Sequence, residues 1–303
     1  MTRLADEMEH PYRHFAVAVR ALTRLSPSFL RVTFTGDDLD AFADGGRDQR
    51  IKLVLPAADG GLDHLPTGPD WYARWRELPE RQQPPIRTYT VRAVRQHRRE
   101  VDVDMVRHGD GGPATRWANR AAVGDRIALI GPNARYAGDT GGVEFHPHHG
   151  DAPLLLAGDE TAVPAVASIL GGLPAGARGT ALLEVPQVED VLDLPAPPGV
   201  TVTWLARDGG APGTRLVPAV VAAAGELAPT GRPAPQALED VDVDAAILWE
   251  VPDPSTTATG PYAWLAGEAG VVRTLRRHLV ADRGWDRHLV AFMGYWRIGR
   301  AET

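Results

Sequence analysis

Arg87-Thr88-Tyr89-Thr90 combines residue types that can hold a flat heterocyclic ring with a charged tail. The Tyr89 ring can lie against such a ligand, and the Thr90 hydroxyl can hydrogen-bond its polar edge. The Arg87 guanidinium can clamp a pyrophosphate through a charge-assisted fork. About twenty residues on, His108-Gly109-Asp110-Gly111-Gly112-Pro113-Ala114-Thr115 is a Gly-rich turn opening a helix. Free backbone N–H groups at such a helix start are where a phosphate sits. A second strand-turn-helix junction is Gly158-Asp159-Glu160-Thr161-Ala162-Val163-Pro164-Ala165. It fits nucleotide binding but is not a G-x-G-x-x-G fingerprint, and spacing alone favours a plain turn with Asp159 or Thr161 as N-cap. A third is Ala266-Gly267-Glu268, in which Glu268 can serve simply as a first-turn acid favoured by the helix dipole.

Two further groups could bind charged ligands. Lys52 is the single lysine among 32 Lys and Arg residues, and a lone lysine on a strand ordinarily faces solvent. His146-Pro147-His148-His149 places three imidazoles in a Pro-containing stretch without a carboxylate pattern, which reads as exposed linker rather than a metal site. No Gly-x-Ser-x-Gly is present, so a Ser/His/Asp triad is not indicated.

The elements that must position these residues follow from periodicity. Residues 15–19, 30–34, 51–55, 88–94, 100–106 and 126–130 read as six short strands. Within 100–106 the alternation predicts one buried and one wet face. Residues 57–85 read as a long irregular loop and 114–122 as a short helix. That pattern predicts a six-stranded antiparallel barrel. After residue 152 the rhythm changes. Strands are predicted at 153–157, 180–185, 200–205, 246–250, 262–266 and 288–293, with helices from about 161 to 170, 212 to 224 and 268 to 281, the last with basic residues on its exposed side. Alternating strands and helices predict a doubly wound parallel sheet with ligands at the carboxyl ends of its strands. Residues 226–244 read as a surface insertion. The expected organisation is a β domain over 1–138, a linker over 139–151 and an α/β domain over 152–303.

Composition narrows the function classes. The chain has 303 residues, 44% hydrophobic and 23% charged, enough for two ordinary cores. A net charge of −7 argues against nucleic-acid or anionic-membrane partners. The absence of cysteine excludes disulfides, thiolate chemistry and an ordinary iron–sulfur cluster in this chain. Residues 1–11 lack an apolar signal core and no run reaches eighteen apolar residues, so a cytoplasmic protein is expected, with nothing to demand an obligate oligomer.

Taken together, the Arg87–Arg92 stretch and the Gly112–Thr115 turn resemble those of the siderophore-interacting proteins, a family of ferredoxin-reductase-like flavoenzymes. The resemblance covers roughly Phe15 to Arg300. It implies a barrel that binds FAD and an α/β domain that binds NADPH or NADH. Arg87, Tyr89, Thr90 and Val91 match FAD-contacting positions, with Val106 and His108 near the flavin. Gly112, Pro113, Ala114 and Thr115 match the pyrophosphate turn, where the family often has Ser in place of Thr115. Asp159, Glu160 and Thr161 would face the dinucleotide and flavin edge, and Gly267 and Glu268 the nicotinamide pocket, where many ferredoxin-reductase relatives carry Cys-Gly. Tyr295 or Trp296 would approach the flavin face used by nicotinamide. The family binds anionic ferric chelates through Lys and Arg side chains, for which Lys52, Arg135 and Arg273 (or Arg276) are the candidates. Arg207 is a candidate for a 2′-phosphate pocket. The implied activity is NAD(P)H-dependent reduction of siderophore-bound Fe(III). The alternatives are a flavin reductase exchanging electrons with a ferredoxin-type partner, and a non-enzymatic flavin-loaded siderophore binder.

Overall fold

The computed structural model describes residues 10–68, 70–107, 112–227, 248–252 and 258–299. The chain divides into two compact units between Val143 and Glu144.

The first unit is built on one antiparallel sheet. Its strands are β1 (Tyr12–Arg24), β2 (Phe29–Thr35), β3 (Arg50–Val54), β4 (Ile86–Thr90), β5 (Ala93–Arg95), β6 (Glu100–Val106) and β7 (Arg126–Pro132). Their spatial order is β4-β3-β7-β1-β2-β6-β5. The sheet therefore has seven strands, not the predicted six, because the segment 88–94 is divided. Val91 N donates to Gln49 O (2.9 Å) and Arg92 N to Asp102 O (2.8 Å). One edge strand thus passes directly into the other, and the sheet must curl for its two edges to be joined by two residues. β1 serves both halves of the curl. It pairs with β7 through residues 12–18 and with β2 through 18–24, with a register shift between Val19 and Ala21 that bends the strand. Phe15, Phe34, Phe42, Leu53, Val103 and Met105 fill the inside.

Two sequence expectations for this unit are corrected. All seven residues of β6 are buried, so its polar face is not wet. Arginines cover it: Arg31 forks onto Asp104 (2.7 and 2.8 Å), and Arg95 bonds Glu100 (2.8 Å) and Asp102 (2.7 Å twice). Burial pushes the Asp102 carboxyl up, but hydrogen bonds from Arg95 and Thr33 outweigh it and hold the group below its ordinary value. Alternation cannot distinguish a polar face bathed in water from one roofed by arginines. The loop over 57–85 also contains a helix, α1 (Trp71–Arg76). Its Trp75 is buried against Val54, Ile86, Ala128 and Ile130, and its indole N–H donates to Pro84 O (2.9 Å). A second helix, α2 (Pro113–Arg120), closes the curl, with Ala114 and Ala118 in the core and Trp117 stacked on Phe34.

The second unit has a six-stranded sheet of order β10-β9-β8-β12-β13-β11. Its strands are β8 (Leu154–Gly158), β9 (Arg178–Val185), β10 (Gly199–Ala206), β11 (Trp249–Glu250), β12 (Tyr262–Glu268) and β13 (Val290–Trp296). Five run parallel, but β11 pairs antiparallel with β13, so the sheet is mixed rather than wholly parallel. The β9–β10 connection holds only a short 3-10 turn (Val188–Asp190) where a crossover helix would stand in regular winding. The helices are α3 (Val163–Gly172), α4 (Leu216–Glu226) and α5 (Ala269–Arg276), the last continuing as a π turn over Arg277–Asp282. α4 and α5 share one core with Leu155, Ala157, Ala263, Leu265 and Phe292. Contrary to expectation, α5 does not expose all its basic residues: Arg276 is buried and forks onto Glu250 (2.9 and 2.6 Å), fastening β11. The proposed insertion at 226–244 lies outside the described residues except for its first two positions.

Candidate functional site

In the first unit, the residues picked out by type lie on β4, at the residue that follows it, at the end of β6 and at the start of α2. β4 is an edge strand paired only with β3, in the register Ile51 with Tyr89, Lys52 with Thr88 and Leu53 with Arg87. Arg87 and Tyr89 therefore share the face that carries Ile51 and Leu53, and Tyr89 packs against that core. Burial pushes the Tyr89 phenol up, with the Arg87 charge opposing, so the ring is neutral at any ordinary pH. Thr90 and Val91 are buried at the joint between the sheet edges. One Arg87 N–H donates to the carbonyl of Ile86 (2.7 Å), which sets the direction of the side chain.

The N-terminus of α2 fits the other half of an FAD site. Gly112 is its N-cap and offers no side-chain cap, Pro113 supplies the preset first turn, and Thr115 is buried. Among the described residues no side chain caps the backbone N–H groups at this end, and a Cβ on Gly112 would meet only open space. A neutral Tyr89 and an arginine on an edge strand, with a helix start that has no side-chain cap, are residue types that would suit an isoalloxazine bearing a pyrophosphate. Val106 is buried at the end of β6, against which α2 packs. His108 lies outside the described residues, with 109–111.

The basic candidates lie on three different segments. Lys52 projects from the face of β3 opposite Arg87 and Tyr89, and its ammonium donates to Thr88 Oγ1 (2.7 Å). Arg135 follows β7, 3.7 Å from Asp40, and its backbone N–H is accepted by Asn133 Oδ1. Arg273 lies half-buried on α5 of the second unit.

In the second unit the sheet order reverses between β8 and β12, the place where wound α/β sheets bind nucleotides. Asp159 occupies it. One carboxylate oxygen accepts from Thr161 N (2.9 Å) and Thr161 Oγ1; the other accepts from Glu268 N (2.7 Å) and Trp296 Nε1 (2.8 Å). Four donors from three segments thus converge on one buried carboxylate. The N-cap of α3 is Ala162, so Asp159 braces the turn rather than capping the helix. Glu268 does cap α5, accepting from Val271 N (2.9 Å). Trp296 is thus bound to Asp159, and Tyr295 stacks on Trp249 and meets Trp264 edge-on.

Burial raises the Asp159 carboxyl to about 6; the Glu160 charge adds to this, while hydrogen bonds from Thr161 and Trp296 pull the other way. A carboxyl raised in the folded state binds protons that the unfolded chain has released. It contributes stability that is present below pH ~4 and lost as pH rises through about 6. The thermal-stability advantage of the wild type over Asp159→Asn is therefore expected to shrink between about pH 4 and about pH 6. Paired melting curves across that range check it, and a widening advantage would show that the four donors hold the carboxyl low.

Sequence reasoning missed a second cluster beside this one. Glu160 is buried and forked by Arg207 (2.6 and 2.8 Å), which also reaches Glu184 (3.4 Å). Glu184 is fully buried, and accepts from the N–H groups of Gly213 (2.7 Å), Arg215 (2.9 Å) and Leu216 (2.9 Å) at the start of α4. The signal available was only a charged residue inside the apolar run 180–185. Arg207, expected to be open to a 2′-phosphate, is held by two carboxylates. Residues 144–148 also differ from a free linker. Phe145 packs edge-on against Tyr262, the Tyr262 hydroxyl accepts from His146 N (3.1 Å), and His148 Nε2 contacts His288 O (3.0 Å). Among the described residues no cluster of three metal-ligating side chains occurs, and no described helix is long and apolar enough to cross a membrane.

A curled antiparallel unit followed by a mixed α/β sheet is the two-domain fold of the ferredoxin-reductase class. The family model for the siderophore-interacting FAD-binding domain matches residues 18–136, and that for siderophore-interacting proteins matches 152–299. The chain is 31% identical to the ferric vibriobactin reductase ViuB of Vibrio cholerae, over 99% of its own length and 94% of that protein's. It is 26% identical to an NADPH-dependent ferric-chelate reductase of Escherichia coli, over 97% of each chain. The crystal structure of the siderophore-interacting protein SipS from Aeromonas hydrophila superposes with a TM-score of 0.67 at 31% identity, covering 95% of this chain and 93% of that one. The chain belongs to the siderophore-interacting protein family.

Proposed function

We propose that this chain is an FAD-dependent reductase of ferric siderophores that takes its electrons from NAD(P)H. What supports the reading is that Arg87, Tyr89 and Thr90 lie on an edge strand and α2 starts at Gly112 without a side-chain cap, in a chain 31% identical to a ferric vibriobactin reductase. We assign FAD to residues 1–138, the nucleotide to 152–303 and the connection to 139–151. Bound FAD would supply the exchange between a two-electron donor, the nucleotide hydride, and a one-electron acceptor, Fe(III). Arg87 and the N–H groups of Ala114 and Thr115 would hold the pyrophosphate, Tyr89 would lie against the ring, and Thr90 and Val91 would border its polar edge; Val106 and His108 would flank it. Asp159, Glu160 and Thr161, with Gly267 and Glu268, would shape the nucleotide end. Lys52, Arg135 and Arg273 would attract the anionic chelate. Fe(II) leaves hard oxygen ligands more readily than Fe(III), because its charge is lower. A monomer acting in the cytoplasm fits this role.

Anaerobic stopped-flow absorbance tests the reading. Bleaching of bound flavin by NADH or NADPH, then reoxidation by a ferric siderophore with trapped Fe(II), is the expected result. Bleaching by reduced ferredoxin alone would replace the nucleotide with a protein donor, and a chain that binds no flavin would overturn the proposal. Arg87→Ala should weaken FAD binding about 10- to 100-fold, the range for losing a charge-assisted hydrogen bond, read by flavin titration of the apoprotein. An unchanged dissociation constant would place the pyrophosphate elsewhere.

A further inference from the structure

Glu160, Glu184 and Arg207 stand at the carboxyl ends of three adjacent strands. Glu160 follows β8 by two residues, Glu184 is the penultimate residue of β9, and Arg207 directly follows β10. In a sheet that reverses beside its first strand, a dinucleotide lies across these ends with its adenosine ribose near the second and third strands. There an acid suits a free 2′-hydroxyl, and an available arginine suits a 2′-phosphate. From this geometry we infer that the chain selects NADH over NADPH, and that the Glu160–Arg207–Glu184 cluster is what rejects the 2′-phosphate. The inference rests on the reductase reading above, which left the donor as NAD(P)H.

The charge balance carries the argument. Arg207 is forked by Glu160 and reaches Glu184, and only a tenth of its side chain is exposed. Two carboxylates against one guanidinium leave the cluster net negative. A phosphate dianion arriving there meets repulsion, and to recruit Arg207 it would have to break a buried fork and strand Glu160. Glu184 cannot turn away, because three backbone N–H groups of the α4 start hold it. Asp208 and Arg215, which adjoin Arg207 and Leu216 in the chain, are both exposed, and the charge of buried Asp159 also acts on Arg207. A ribose with a free 2′-hydroxyl brings no charge and meets none of these costs.

Calorimetric binding of AMP and of adenosine 2′,5′-bisphosphate to the full wild-type chain tests the selection without any turnover. AMP should bind at least about tenfold tighter. Flavin bleaching should then favour NADH over NADPH in the same direction. Glu160→Gln, which leaves Arg207 with one distant carboxylate, should move both ratios toward the 2′-phosphate by about tenfold; should that variant not fold, the wild-type ratios decide alone. Tighter binding of the bisphosphate, equal binding of both, or faster bleaching by NADPH overturns the inference and leaves the reductase reading intact. Preference for AMP with no bleaching by either nucleotide upholds the selection and overturns the reductase reading. Binding of neither adenosine ligand overturns the inference.

Discussion

Glu184→Ala is expected to destabilise the second unit by about 3–5 kcal/mol, the range for removing one partner from a buried charge network. The carboxylate is fully buried and accepts from Gly213, Arg215 and Leu216, whose N–H groups begin α4 and have no partner within the helix. It also lies 3.4 Å from the same Arg207 Nη1 that Glu160 holds. Alanine would remove all four interactions and leave a cavity lined by donors. A Tm lower by about 10 °C follows for a unit of this size, and chemical denaturation followed by the fluorescence of buried Trp264 and Trp285 would read the change. Glu184→Gln keeps the shape and one acceptor, so about half the loss is expected from it. A loss under about 1 kcal/mol for the alanine variant would mean that water takes the place of the carboxylate without cost.

The next largest effect is expected at Gly267. Its φ of +144° is a conformation that side chains rarely adopt, and a Cβ there would lie 2.6 Å from Asp159 Oδ2. That oxygen holds the backbone of Glu268 and the indole of Trp296. Gly267→Ala must therefore either distort the end of β12 or push Asp159 from its donors. Backbone strain contributes about 1–3 kcal/mol and each stranded buried donor about 1–3 more. An expected loss of ~4 kcal/mol should be accompanied by weakened nucleotide binding, because both turns at the reversal of the sheet move together. Thermal melting with calorimetric AMP binding checks both. Wild-type melting and binding would show that the turn relaxes freely.

Much of this was legible in the sequence. The strand-rich first half and the alternating second half follow from periodicity, because apolar burial repeats every second residue on a half-covered strand and runs on where both faces are covered. The Gly112-Pro113 helix start was readable because that chemistry is local: a proline needs no N–H at the first turn, and a glycine leaves the cap open. Glu268 as a helix-starting acid was readable for the same reason. The division of 88–94 into two edge strands was not, since it depends on Gln49 and Asp102 lying beside opposite edge strands of a curled sheet. The helix over Trp71–Arg76 was also hidden, because six residues carry too little periodicity and Trp75 is held by distant Ile86 and Ile130.

The site divides along the same line. Residue types and short spacings marked Arg87, Tyr89, Thr90 and Thr115 as side chains that could meet a ring and a pyrophosphate, and the family resemblance added Asp159 and Glu268 at the nucleotide turns. Only the tertiary structure decided what each is bonded to. Asp159 gathers Glu268 and Trp296 from 109 and 137 residues away, and Arg207 is taken by Glu160 and Glu184 at 47 and 23. Lys52 falls on the face opposite Tyr89 because neighbouring strand positions point to opposite sides, a fact that acquires meaning only once the register with β4 is set. Local sequence governs dihedral preference and burial period. The pairing of buried charges is a long-range electrostatic choice, made when the strands that carry them come together.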